Sequence, residues 1–170
     1  MDILNIDNNV ETLSQKTVMD RVKTFEDACR ELGKDHPFVL AYQNTNLREP
    51  EVADDNIEVI AYLKLRIIAA ALNDGWTPNF AKRDHLYFPY FYLYSSEEIS
   101  RMSEEEKYRV ACFYGNNAYA YSGVSYANAY YGFTSVNGPF GPRLVFKTRE
   151  LAEYAGKQFS KLYADYLLYY

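Results

Sequence analysis

Apolar positions recur three or four apart near both ends of this chain and two apart in between, so helices are predicted to flank a β region. Phe25, Ala28, Cys29 and Leu32 share one helical face. Thr24 ahead of them offers its hydroxyl to the amide of Asp27, and Gly33 stops the helix. Ile57, Ile60, Ala61, Leu63, Ile67, Ile68, Ala71 and Leu72 surround most of a second, central helix. It is predicted to start at Asp54, Asp55 or Asn56 and to end at Asn73-Asp74-Gly75, with the glycine left-handed. Leu151, Ala155, Phe159, Leu162 and Tyr166 mark a last helix from Arg149 to about Leu168, capped by Thr148 and with Glu150 in its first turn.

The intervening stretch reads as strands. Residues 86–94 form one candidate, which Pro89 assigns to an edge or a bulge because it lacks a ladder donor. Serines followed by glutamates at 95–99 and 103–106 carry helix-start chemistry, predicting a short acidic helical turn. Residues 108–133 alternate, with Tyr126, Asn128 and Tyr130 on one face and Ala127, Ala129, Tyr131 and Phe133 on the other, as a small antiparallel meander. After a Gly-Pro turn, residues 143–147 are predicted as a final strand with Leu144 and Phe146 on one face. Residues 1–23 read as an irregular arm, 36–50 as a linker and 76–80 as a loop whose aromatics fold back on the core. The fold class expected is α+β: a single domain over 24–170, with helices packed on an antiparallel sheet of about four strands.

At 170 residues the chain is long enough to bury roughly 70% of its unfolded surface without staples. Cys29 and Cys112 both lie in apolar surroundings and read as reduced structural thiols. The N-terminus lacks the basic start and apolar run of a secretion signal, and the apolar stretch at 57–72 is broken by Glu58, Lys64 and Arg66, which excludes a membrane span. A net charge of −5 speaks against coating duplex DNA.

The inventory of reactive groups is thin. His36 and His85 are the only histidines, and both lie in polar loops. Asp84, His85 and a tyrosine are the residues from which an unsignalled catalytic site would be assembled, a reading the sequence neither rules out nor favours. No zinc-ligand spacing, phosphate-binding loop, dinucleotide fingerprint or nucleophile elbow occurs, so neither a metal nor a cofactor is expected. The acidic pairs at 54–55, 97–98 and 104–106 each open a helix, where capping accounts for them.

Tyrosine is the outlier, with 18 residues against 10 Phe and one Trp. Tyr119, Tyr121, Tyr126 and Tyr130, with Arg143 and Lys147 from a neighbouring strand, form the candidate partner-binding set. Such rings suit a protein contact or stacking on unpaired bases, with the basic residues meeting phosphates; they also suit the sheet's own core and rim. The aromatic end at 166–170 suggests a further contact surface, and a second copy of the chain is a candidate partner.

Three blocks carry a resemblance: Thr24-Phe25-Glu26-Asp27-Ala28-Cys29-Arg30-Glu31-Leu32-Gly33; Leu63-Lys64-Leu65-Arg66-Ile67-Ile68 with Ala71-Leu72-Asn73-Asp74-Gly75-Trp76-Thr77-Pro78; and residues 143–159, from Arg143-Leu144-Val145-Phe146-Lys147 to Gln158-Phe159. In these the chain resembles a family of small uncharacterised proteins from gut bacteriophages and mobile elements of Bacteroidales. The resemblance implies a phage or mobile-element origin and a host cytoplasm as first location, and brings no activity with it. The aromatic-rich 86–133 region and the N-terminal arm depart from the family pattern. The function expected is non-enzymatic binding of a host or phage protein through the tyrosine-rich sheet. The alternatives are single-stranded nucleic-acid binding and a structural role in the virion.

Overall fold

The computed structural model describes residues 16–48, 56–79, 85–91, 93–108, 110–114, 121–125, 128–132 and 143–168. These residues are mostly helical, with short antiparallel strands. Helix α1 (Val18–Arg21) is a single turn, closed by a capping box in which Thr17 and Asp20 satisfy each other's backbone amides. It stands where an irregular arm was expected. The chain after it is anchored: Val22 is fully buried, its carbonyl accepts from the Tyr154 hydroxyl at 2.7 Å, and the Lys23 carbonyl accepts from Gln158 at 2.7 Å.

Helix α2 (Phe25–Leu32) has the expected cap and stop. Thr24 accepts from the Asp27 amide, and Gly33 ends the helix at φ 86°, a left-handed-side conformation suited to glycine. Residues 36–50 were expected as a linker, yet helix α3 (Pro37–Gln43) occupies the first half. Pro37 sits at the first helical position, where its missing donor costs nothing, and His36 Nδ1 accepts from the Phe38 amide. A 3₁₀ turn (Asn46–Arg48) follows.

Helix α4 (Ile57–Asn73) lies at the centre, packed by α1, α2 and α3 and by both C-terminal helices. Ala61, Leu65, Ile67, Ile68, Ala69, Ala71 and Leu72 are buried on it, so its C-terminal half is enclosed on nearly every side. Asp74, rather than Gly75 alone, takes the left-handed conformation that ends it, at φ 49°; Gly75 follows at φ 75°.

The single run expected over 86–94 divides into β1 (Leu86–Tyr90) and β2 (Leu93–Ser95). The acidic segment forms two short helices, α5 (Ser96–Arg101) and α6 (Glu104–Tyr108). Ser95 and Glu98 make a reciprocal capping box on the first, and Ser103 and Glu106 exchange the same bonds on the second. Strands β3 (Val110–Tyr114), β4 (Tyr121–Ser125) and β5 (Asn128–Gly132) follow.

Pairing departs from a four-stranded meander. The described strands form two ladders, β1–β5 and β2–β4–β3. Only residues 126 and 127 separate β4 from β5, a spacing that suits a two-residue hairpin, yet β5 pairs with β1 instead. Burial gives the reason: β1 and β5 both pack on α7 (Arg149–Gln158), with Leu86 and Pro89 buried. Leu86 and Pro89 thereby leave water, which folding back onto β4 would not achieve.

The final strand expected over 143–147 contracts to one bridge, Tyr87 with Phe146. Leu144, Val145 and Phe146 are buried in succession, an enclosure that the alternation of an edge strand does not produce. Tyr87 donates to the Phe146 carbonyl at 3.1 Å and accepts from the Phe146 amide at 2.7 Å. Backbone polar groups alternate along a strand, so the donor-less nitrogen of Pro89 turns to that same side, beyond the bridge, where no described strand pairs.

Thr148 caps α7 by accepting from the Leu151 amide, as expected. The single C-terminal helix expected is broken at Phe159 (φ −114°, ψ 28°), and α8 (Ser160–Leu168) resumes along α4. The turn lets α7 serve the β1–β5 ladder while α8 inserts Tyr163 and Ala164, both almost fully buried.

The two halves of the chain are joined at Asn73, the buried polar side chain of this core. Its Nδ2 donates to the Val145 carbonyl at 2.8 Å, its Oδ1 accepts from the Lys147 amide at 3.0 Å, and its own carbonyl accepts from Lys147 Nζ at 3.2 Å. Asn73→Ala leaves a buried carbonyl and a half-buried amide unpaired, and is expected to cost about 2–4 kcal/mol. Urea unfolding monitored by far-ultraviolet circular dichroism checks this; a loss below about 0.5 kcal/mol would remove the clip from the stability argument.

Candidate functional site

Of the six residues singled out for partner binding, Tyr119 and Tyr126 lie outside the described residues. The backbone of Tyr121 pairs with Tyr114 in the three-stranded ladder, whereas that of Tyr130 pairs with Phe88 in the two-stranded one. The two tyrosines thus belong to different ladders. Arg143 is exposed at the start of the segment that reaches the Phe146 bridge. Lys147 is half-buried, with its amide and its ammonium both held by Asn73.

The best-placed part of the tyrosine-rich surface is β1. Its register sets Tyr87 opposite Tyr131, Phe88 opposite Tyr130 and Tyr90 opposite Asn128. Leu86 and Pro89 face the core, Tyr87 and Phe88 are half-buried, and Tyr90 is 41% exposed, one of two large hydrophobic residues so open among those described. Phe91, just beyond, turns inward until its ring lies 5.1 Å from that of Tyr163. Tyr163 is fully buried, and burial raises its hydroxyl far above the ordinary phenol range.

A second grouping was not anticipated from the sequence. On α4, the Arg66 guanidinium carbon stands 4.1 Å from the centre of the Phe38 ring and 5.8 Å from that of Tyr62. The Lys64 ammonium lies 5.4 Å from the centre of the Phe25 ring and 6.0 Å from that of Tyr42. Phe25 and Tyr42 meet edge to face at 5.0 Å, and Tyr62 meets Tyr166 at 5.7 Å. Helix α3 supplies Phe38 and Tyr42 four residues apart on one face, and Tyr62 and Arg66 are likewise one turn apart on α4. The available signal was that i, i+4 spacing, masked by the reading of residues 36–50 as a linker.

Elsewhere several of the described charges are paired or capping. Arg21 and Glu31 form a bidentate pair, with Nη2 to Oε1 at 2.7 Å, which holds the Glu31 carboxyl below its usual range. Burial works to raise Asp27, but the amides of Lys23 and Thr24 overcome it and hold its carboxyl low. The Thr17 side chain and amide lower Asp20, and the Ser95 amide and hydroxyl lower Glu98. Burial raises the Cys29 thiol, which is therefore no thiolate nucleophile at neutral pH. His36 is committed to its cap and packs edge to face on Phe38. His85 is exposed, and Asp84, named beside it as a catalytic candidate, lies outside the described residues.

Among the described residues no group of His, Cys, Asp and Glu is placed to hold a metal ion, and no helix is long and apolar enough to cross a membrane. No family model, curated protein or solved structure matches the chain. The phage-family resemblance therefore rests on the three sequence blocks.

The lowered carboxylates give a signed pH dependence. A carboxyl held below its unfolded value of about 4 contributes stability that is complete above that value and is lost as pH falls through the folded-state value. Asp27→Asn is therefore expected to destabilise the protein at pH 7 while leaving a difference from wild type that shrinks steadily below about pH 4. Urea unfolding at pH 7, 5, 4 and 3 checks this, and a difference independent of pH would place the role of Asp27 in packing rather than charge.

Proposed function

We propose that this chain is a non-enzymatic protein of phage or mobile-element origin that works by binding another protein through its tyrosine-rich strands. The single observation that carries the reading is Tyr90, a large ring 41% exposed on a strand whose other residues are buried or half-buried. Folding here leaves part of that ring open to water beside a ladder whose register runs Tyr87–Tyr131 and Phe88–Tyr130. A ring with a polar tip is suited to that position if a partner covers it, since tyrosine loses little conformational freedom on binding and supplies both contact area and a hydrogen bond. Just beyond Pro89, β1 has no described strand on its open side, which leaves room for a partner segment there.

Single-stranded nucleic acid is the less favoured occupant. Stacking on unpaired bases needs cations along the strand, and Lys147 is already engaged by Asn73, which leaves Arg143 as the exposed basic member of the proposed set. The acidic balance of −5 weighs the same way.

Tagged protein recovered from phage-infected host lysate, half of it nuclease-treated, tests both readings. One defined protein is expected in both halves, and Tyr90→Ser is expected to lower its recovery about tenfold with the fold intact by circular dichroism. Recovery that collapses with nuclease, or that ignores Tyr90→Ser, rejects the proposal, and the first of these transfers it to nucleic acid.

A further inference from the structure

We infer that Asn73 is the positioning residue for Tyr90: its side chain fixes the segment that meets β1 from outside, and so sets how the exposed ring is presented to a partner. The inference rests on the binding role proposed for Tyr90 and deepens it. It starts from the bonding along residues 145–147. Phe146 turns both of its backbone groups to Tyr87, its amide donating at 2.7 Å and its carbonyl accepting at 3.1 Å, as in a hydrogen-bonded pair of antiparallel strands. In extended chain the polar groups of the two flanking residues point the other way. There they meet Asn73, whose Nδ2 donates to the Val145 carbonyl at 2.8 Å and whose Oδ1 accepts from the Lys147 amide at 3.0 Å. The side-chain amide thus stands in for a peptide group of an adjoining strand, and residues 145–147 are held from both edges at once.

The position of this clip connects it to Tyr90. Asn73 is 5% exposed at the end of α4, the helix that the rest of the fold encloses, and Val145 and Phe146 are buried beside it. The Lys147 ammonium, 3.2 Å from the Asn73 carbonyl, ties the same segment to the same helix end. One edge of β1 is paired with β5 from Leu86–Gly132 to Tyr90–Asn128, and the other is met by Phe146 at Tyr87. A slip of residues 145–147 by one position would turn the Phe146 amide and carbonyl away from Tyr87. Apolar contact permits such sliding, whereas paired hydrogen bonds do not. Asn73 therefore holds β1 to α4 through Phe146 and Tyr87, and Tyr90 lies on that same short strand.

Backbone amide exchange read by NMR tests the coupling without any partner. In Asn73→Ala the amides of Tyr87 and Phe146 are expected to accelerate about tenfold more than the amide of Ile68 in α4. Global destabilisation accelerates all of these alike, so an equal acceleration makes Asn73 a stabilising residue only and overturns the inference. The second arm is recovery of the protein that the wild-type chain captures from phage-infected lysate, at a temperature where each variant is folded. Asn73→Ala is expected to lower recovery about fivefold, and Glu31→Gln, which breaks the Arg21 pair between α1 and α2, to leave it unchanged. Full recovery with Asn73→Ala where Tyr90→Ser lowers it refutes the positioning role. Full recovery with both overturns the binding reading itself, and the inference with it, so the two failures are told apart. Should Asn73→Ala fail to fold, native-state exchange of the wild type in low urea decides. The amides of Lys147, Phe146 and Tyr87 are expected to share one opening, with protection equal within about threefold, and a Lys147 amide that opens more readily than that refutes the coupling.

Discussion

The structure depends on enclosing one helix. Helix α4 carries an apolar run too wide for a single face, and the chain covers it by bringing elements from both ends: α1, α2 and α3 from before it, α7 and α8 from after. A helix apolar on most sides is stable in water only when wrapped. The wrapping ends at Asn73, where a polar side chain replaces apolar contact and fixes the returning segment through the Val145 carbonyl and the Lys147 amide. Apolar burial is tolerant of small shifts, whereas these bonds are not. Asn73 therefore sets the register at which residues 144–146 enter the core, and with it the Tyr87–Phe146 bridge and the position of β1.

That dependence accounts for what was legible in the sequence. Thr24, Ser95, Ser103 and Thr148 are all found at helix starts, because a cap is a contact between a side chain and an amide three residues away and so is written locally. The central helix was legible from its apolar spacing alone, since Asn56 at its start makes no side-chain cap. Residues 36–50 were read as a linker, although the first turn of a helix is where Pro37 fits; the deciding context was Val39, Phe38 and Tyr42 packing on α4, which is a long-range contact. Leu144 and Phe146 alternate as in a strand, but Asn73 draws Val145 into the core between them, and no local pattern encodes that.

The strand order was illegible on similar grounds. Period-2 alternation assigns faces within a strand and says nothing about which strand lies beside it. Local spacing favoured β5 folding back on β4, whereas burial against α7 favoured pairing with β1, and the latter prevails in the structure. The candidate surface divides accordingly. Tyr121 and Tyr130, grouped in sequence by their shared composition, are placed in separate ladders, while Tyr90, outside the alternating segment, is 41% exposed.

The acidic excess of the chain is also a matter of local chemistry. Asp20, Asp27, Glu98 and Glu106 are engaged by backbone amides at helix starts, and Glu31 is engaged by Arg21. A carboxylate that accepts amide hydrogen bonds is fixed in place and unavailable to a cation on another helix. Lys64 and Arg66 lie on α4, away from those caps, and meet the rings of Phe25 and Phe38, with no ion pair to a described residue. A ring stabilises a cation through its face while leaving the hydrogen-bonding edge unsatisfied, whereas a carboxylate satisfies both. The carboxylates that start the short helices are thus set against backbone amides, whereas the described cations of α4 are set against aromatic rings.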